Sequence, residues 1–313
     1  MKESSARVTK SALAGLLVVA VLLAGCGSGS GSTPQSTATT TAGNPKPRLR
    51  VTRIGSLPRA LSKAAAVALP RGRVMVLGGY TEAGSLDTIL SGPPSHLRVV
   101  GRLPQPTHDA GAAAVGGKVY LFGGGESVSM PSVVRVDPRT GAATEAPALG
   151  EPLSDLGAVA IGGHAYLVGG YTGTQFASAI LRYLPRGAAH TVARLPTGTR
   201  YAGVAALGPT IYVAGGLTTA GATSAVYAVS LDGTVRRVAT LPAPEDHAAL
   251  AALGGRLYLV GGGRLLAIDP SSGKVTVAAR LPATLSDPTA TTVGNRIVIA
   301  GGGTDGVWTL GPS

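Results

Sequence analysis

One phrase is written six times along this 313-residue chain: a short run of strand-forming residues that ends in paired glycines. The copies are RVMVLGGY, KVYLFGGG, HAYLVGGY, TIYVAGGL, RLYLVGGG and RIVIAGGG. Their first glycines are Gly78, Gly123, Gly169, Gly215, Gly261 and Gly301, in steps of 45, 46, 46, 46 and 40 residues. A small-residue run such as AGAAAV or AGVAAL stands before each copy, and Leu-Pro opens most of the loops ahead of that run. Repeats of this size are supersecondary units that cannot bury a face alone, so they stack or close into a ring.

Each unit reads as four strands. The first is rich in Ala and Gly, and the second runs into the glycines. The third is short (SVVRVD, SAILRYL, SAVYAVS, RLLAID), and the fourth is weaker (TVARLP, VRRVATLP, VTVAARLP). Turn signals such as Asp137-Pro138-Arg139-Thr140-Gly141 and Asp269-Pro270-Ser271-Ser272-Gly273 join third to fourth. The sixth copy runs out after its third strand, GVWTL. RLRVTRIGSLP, ahead of the first copy, fits the missing fourth strand. Residues 49 to 55 are therefore expected to complete the last unit, leaving no open edge. The 47 glycines serve crowding near an axis and sharp bends at strand ends. The stretch Gly301 to Gly306 matches G-x-G-x-x-G, but strand rather than helix follows it, so it is no dinucleotide site.

The paired glycines, the tyrosines three residues before them (Tyr120, Tyr166, Tyr212, Tyr258) and the Asp-Pro turns resemble the kelch repeat. The resemblance covers residues 49 to 313 and implies an all-β, six-bladed β-propeller of kelch type. Each blade would hold four antiparallel strands, with the N-terminal strand closing the last blade. The chain departs from many kelch blades in having aliphatics where a tryptophan often stands; Trp308 is its only one.

In such a ring, the loops from second to third strand share a face with the loops leading into each next blade. Aligning the latter on Leu-Pro gives a column of Lys63, Asp109, Asp155, Tyr201, His247 and Asp287, preceded in one copy by Arg200. These polar residues are expected to surround the mouth of the central channel as a ligand-binding ring. Lys63 should lie between Asp287 and Asp109, with Asp109 and His247 on opposite blades. The ring suits either a binding module for an envelope protein, peptide or glycan, or an enzyme on a small sugar. The second reading comes from similarity to the sialic acid mutarotases, which are six-bladed kelch propellers of the bacterial periplasm. In it, Asp109, His247 and Asp287 would be the proton-transfer groups. Neither G-x-S-x-G nor H-E-x-x-H occurs. The spacing of the histidines demands no metal, and no cofactor is expected. Galactose oxidases also resemble kelch propellers, but their radical site needs a cysteine that this domain lacks. Nucleic acid is a poor partner for an exported chain with 4% aromatics and dispersed arginines. The domain is expected to be a monomer.

The first residues, MKESSARVTKSALAGLLVVAVLLAGC, have a basic start and an apolar core from Ala12 to Ala24, the layout of a secretory signal. Leu23-Ala24-Gly25-Cys26 resembles the lipobox of bacterial lipoproteins. That resemblance implies removal of residues 1 to 25 and acylation of Cys26, the sole cysteine. Residues 26 to 47, rich in Gly, Ser, Thr and Pro, would then tether a propeller spanning 48 to 313. The lipid bilayer becomes a partner, and the protein sits on the extracytoplasmic face of a bacterial membrane, inner or outer. The formal charge of +12 suits a solvated basic surface or contact with anionic lipid or wall polymer.

Overall fold

The computed structural model describes residues 49–185 and 189–312. Cys26, the signal segment and the tether lie outside the described residues. Among those described there is no helix. Six blades, each with four main antiparallel strands, succeed one another around an axis. Their inner strands are Ala65–Leu69, Gly111–Val115, Gly157–Ile161, Gly203–Leu207, Ala249–Leu253 and Pro288–Val293. Neighbouring inner strands contact one another around the whole circle, the sixth against the first included. Small side chains make this possible, because wedge-shaped blades leave least room at the axis.

The circle closes as the sequence suggests. Leu49–Leu61 lies antiparallel to Thr304–Pro312, with Leu49 opposite Pro312 and Leu61 opposite Thr304. The closing strand is longer than residues 49 to 55, and irregularities in register bend it along the blade. Six buried clusters fill the six blade-to-blade interfaces. Between blades one and two, Met75, Leu77 and Ile89 meet Val119, Leu121 and Val136. At the closing seam, Val298, Ala300 and Val307 meet Val74, Val76 and Leu90. Trp308 does not sit on an outer strand; it is buried on the third strand of blade six. Each large side chain hidden in this way contributes about 1.5–3 kcal/mol.

The paired glycines are the joints between blades. The N–H of Gly124 donates to the carbonyl of Leu153, in the loop that carries the chain into blade three. Gly79, Gly170, Gly216 and Gly303 make equivalent bonds to Thr107, Thr199, Glu245 and Leu61. A Cβ on Gly123 would stand 1.9 Å from the same Leu153 oxygen, and φ is +60° there. Only glycine meets both demands. Blade five departs from the pattern: Gly261 stays extended, and Gly262 and Gly263 alone form its turn. The third-to-fourth turns are built by side chains. Asp137 Oδ1 accepts the N–H groups of Arg139 and Thr140, and Asp269 Oδ1 those of Ser271 and Ser272.

Candidate functional site at the channel mouth

Both expected loop sets share one face. The residue before each ring position bridges to the residue after the double glycine of its own blade: Ser62 to Tyr80, His108 to Gly125, Ser154 to Tyr171 and Arg200 to Leu217. One residue later the chain must turn sharply down into the inner strand. It does so at Lys63, Asp109, Asp155, Tyr201, His247 and Asp287, all with φ between 51° and 58°. The left-handed conformation costs an L-residue roughly 1–2 kcal/mol. Aspartate and histidine tolerate it better than most, whereas lysine and tyrosine do not.

A hydrogen-bonded hoop holds this conformation. The N–H of each ring residue donates to the carbonyl of its counterpart one blade back, at 2.7 to 3.2 Å. The Lys63 N–H reaches the Asp287 carbonyl and completes the circle. Six peptide units on six blades thus form one closed belt around the axis. The belt holds six polar side chains where glycine would serve the backbone at less cost.

The side chains form three groups. Lys63 Nζ donates to Asp109 Oδ2 at 3.1 Å. Burial opposes the lysine charge, but the Asp109 carboxylate outweighs it and the net shift is upward. Burial also raises the Asp109 carboxyl. Next to it, the Asp155 side chain is 4% exposed. Its pKa is pushed up to about 6, first by burial and then by the charge on Asp109. Arg200 Nε lies 2.9 Å from Asp155 Oδ2, yet neither atom makes an aligned hydrogen bond, so the contact is a charge contact. The third group is His247 with Asp287, whose Nδ1 and Oδ1 are 2.5 Å apart. That bond raises the imidazole pKa. The His247 ring also stacks on Tyr201, centroids 3.9 Å apart. Burial, and then Asp109 and Asp155, push the Tyr201 phenol up to about 12, so it stays a neutral donor.

All seven expected site residues meet at the mouth, in the expected order around the ring. Lys63 stands between Asp287 and Asp109 but bonds only to Asp109. Asp287 turns the other way, to His247. Asp109 and His247 are on opposite blades, so the three proposed proton-transfer groups fall into two separate pairs. The sequence reading missed the rim. Tyr171 and Phe176 flank Arg200, whose guanidinium carbon lies 4.9 and 5.3 Å from their ring centres and 4.4 Å from that of Tyr201. Tyr80 packs against His108, whose Nδ1 is bonded to Ser85 Oγ at 2.9 Å. Burial and the Lys63 charge lower the His108 pKa. The recurring Gly-Gly-Tyr at Tyr80 and Tyr171 was the available signal.

The space is stepped. A pocket of about 360 Å³ lies over blades two to four, under the loops Gly125–Ser129 and Tyr171–Gly173. A neck of about 100 Å³ is lined by the six ring residues and the small residues that follow them. Below it lies an axial cavity of about 330 Å³, walled by Ala, Val, Leu and Thr of the inner strands. The rim is lopsided. Blades one to four raise six to ten residues between second and third strands, and blades five and six only two. No group of three His, Cys, Asp or Glu is placed to hold a metal ion among the described residues.

Fold and mouth together define a kelch-type six-bladed β-propeller with a polar ring at one end of its channel. A kelch motif matches residues 106–142, which hold the first three strands of the second blade. No curated protein is significantly similar in sequence. The solved structure described as "Structure of YjhT" superposes with a TM-score of 0.70 over 81% of this chain and 94% of that one, at 16% identity. That likeness is one of fold.

Proposed function

We propose that the protein is a membrane-anchored extracytoplasmic propeller that binds a small, hydroxyl-rich polar ligand, free or at the end of a glycan or peptide, in its channel mouth. One observation carries this reading: the hoop that holds six polar side chains in left-handed backbone around a single opening. A merely structural neck would be met by glycine. The ring offers cations, carboxylates, a neutral phenol and the flat Tyr201–His247 face, the mixture that receives hydroxyls and sugar planes. The low side over blades five and six admits the end of a longer chain. The anchor rests on the Leu-Ala-Gly-Cys sequence ahead of the propeller.

The test is calorimetry and thermal shift of the chain against monosaccharides, acidic sugars, wall fragments and peptides. A ligand at 100 times its Kd adds about 2.7 kcal/mol of stability. Tyr201→Ala and His247→Ala should each abolish the shift while the apo protein stays folded. A ligand that binds both variants as tightly as wild type sinks the reading.

A second reading, sugar anomer exchange of the mutarotase kind, is favoured by the His247–Asp287 pair. Asp287 occupies Nδ1, and Nε2 has no protein partner among the described residues. Mutarotation needs a base to take the anomeric O–H proton and an acid to protonate the ring oxygen. The His247 imidazole, raised by its bond to Asp287, and the Asp155 carboxyl, pushed up to about 6, would be the proton-exchanging groups. Anomer exchange followed by NMR, lost in His247→Gln, is the expected outcome.

A further inference from the structure

The face opposite the mouth has its own pattern. It is built from the hairpins joining inner to second strands and from the third-to-fourth turns. At the inner hairpins, around the far end of the channel, stand Arg71, Arg73, Lys118, Arg256 and Arg296, with His164 in blade three and no acid at all. Among the described residues the outer turns balance: Arg98, Arg139 and Lys274 against Asp137, Asp232 and Asp269. Arg73 is held by Ser91, and Lys118 is paired with Asp137 at 2.6 Å. Arg71, Arg256 and Arg296 are exposed, and none has an acid within 4 Å among the described residues. The mouth is the reverse. Its loops carry Asp109, Asp155, Glu245, Asp246 and Asp287, with Glu82 and Glu126 on the rim, against Lys63, Arg200, Arg264, which pairs with Glu245, and Arg59, beside Glu82. The charge of the propeller is therefore sorted along its axis.

The chain itself joins the basic face. Strand Leu49–Leu61 ends at the mouth, next to Lys63, so Leu49 is at the other end, opposite Pro312. The residues just before it in sequence are Lys46 and Arg48, and further back come Cys26 and the apolar run from Ala12 to Ala24. We infer that the basic face docks on an anionic bilayer and turns the mouth away from it. The cations attract acidic headgroups and the acid-rich mouth is repelled. The docking does not depend on what the mouth binds, nor on whether Cys26 is acylated.

The test uses the full chain carrying Cys26→Ser, so that no acyl group is attached. It is sedimented with vesicles of phosphatidylcholine alone and with vesicles in which a third of the lipid is phosphatidylglycerol. The apolar leader binds both, and its basic start adds equally to the anionic preference of wild type and variant, so the difference between the two proteins reads the basic face. Each basic residue at an anionic surface is worth roughly fivefold in partitioning. The combined Arg71→Glu, Arg256→Glu and Arg296→Glu variant should lose at least about a hundredfold on the anionic vesicles and little on the neutral ones. The wild-type preference should vanish in ~0.5 M salt, where screening is severe. If the triple variant does not fold, Arg→Gln changes at the same positions and the wild-type salt dependence give the answer. Equal wild-type partitioning on both vesicles overturns the inference. So does a preference that survives the substitutions, or capture by soluble polyphosphate with no preference for anionic vesicles.

Discussion

Asp155 should set a slope in the stability of this protein. Its carboxyl is nearly sealed from solvent and lies beside a second aspartate, and its pKa is pushed up from 3.8 to about 6. In the unfolded chain the group ionises near 3.8, so between there and 6 the folded state binds more protons. Stability must then fall as pH rises across that window and level off above it. Two units at about 1.4 kcal/mol each give a fall of about 3 kcal/mol. Asp155→Asn removes the proton and hence the slope. It also removes the counter-charge of Arg200, but wild type lacks that charge wherever Asp155 is protonated, so the loss is already contained in the slope. Urea unfolding at half-unit steps from pH 4 to 7.5, on wild type and variant, checks this. The stability difference should shift by about 3 kcal/mol in favour of the variant as pH rises. Parallel curves, changing by less than about 0.5 kcal/mol across the window, refute the argument that Asp155 is both desolvated and coupled to Asp109.

Three further outcomes follow from the geometry. Gly123→Ala and Gly116→Ala impose the same left-handed strain, at φ +60° and +57°, but only the first meets a backbone oxygen. Gly116→Ala should cost about 1 kcal/mol and Gly123→Ala about 3 kcal/mol or more by denaturant unfolding. An NMR titration should place His247 above the ordinary imidazole range and His108 below it. The His247–Asp287 bond then supports the fold at low pH, and its contribution fades as pH rises through the raised His247 value, a decline absent in His247→Gln. Deleting residues 49 to 55 uncovers the edge of Thr304–Pro312, and size-exclusion chromatography should show self-association in place of a monomer.

Much of this architecture is legible in the sequence because it repeats. Blade number, strand order and the closing strand follow from six glycine pairs and one orphan strand. Aligning on Leu-Pro placed all six hoop residues correctly. The short blade-five loop is written there too, in the step of 40 residues from Gly261 to Gly301 where the others take 45 or 46, but the equally short blade-six loop lies past the last step. The left-handed backbone was not legible. Lys63 and Tyr201 are residues that avoid it, and the six-fold hoop holds them in it. Nor was the pairing. His247 has Asp246 beside it in sequence, but successive side chains diverge, and its partner Asp287 comes from the next blade. Tyr171 and Phe176 reach Arg200 across a loop whose path no local pattern dictates.

The closing strand has a mechanical consequence. Leu49–Leu61 runs the full height of blade six, from the face where the chain arrives to the mouth. A pull on the chain ahead of Leu49, resisted by whatever the mouth grips, acts along that strand. Its ladder to Thr304–Pro312 is then loaded in shear, all its rungs sharing the tension, and cannot be peeled open one rung at a time. The seam that is the ring's one break in covalent continuity is thus set in its stronger direction against the force a tethered protein would feel.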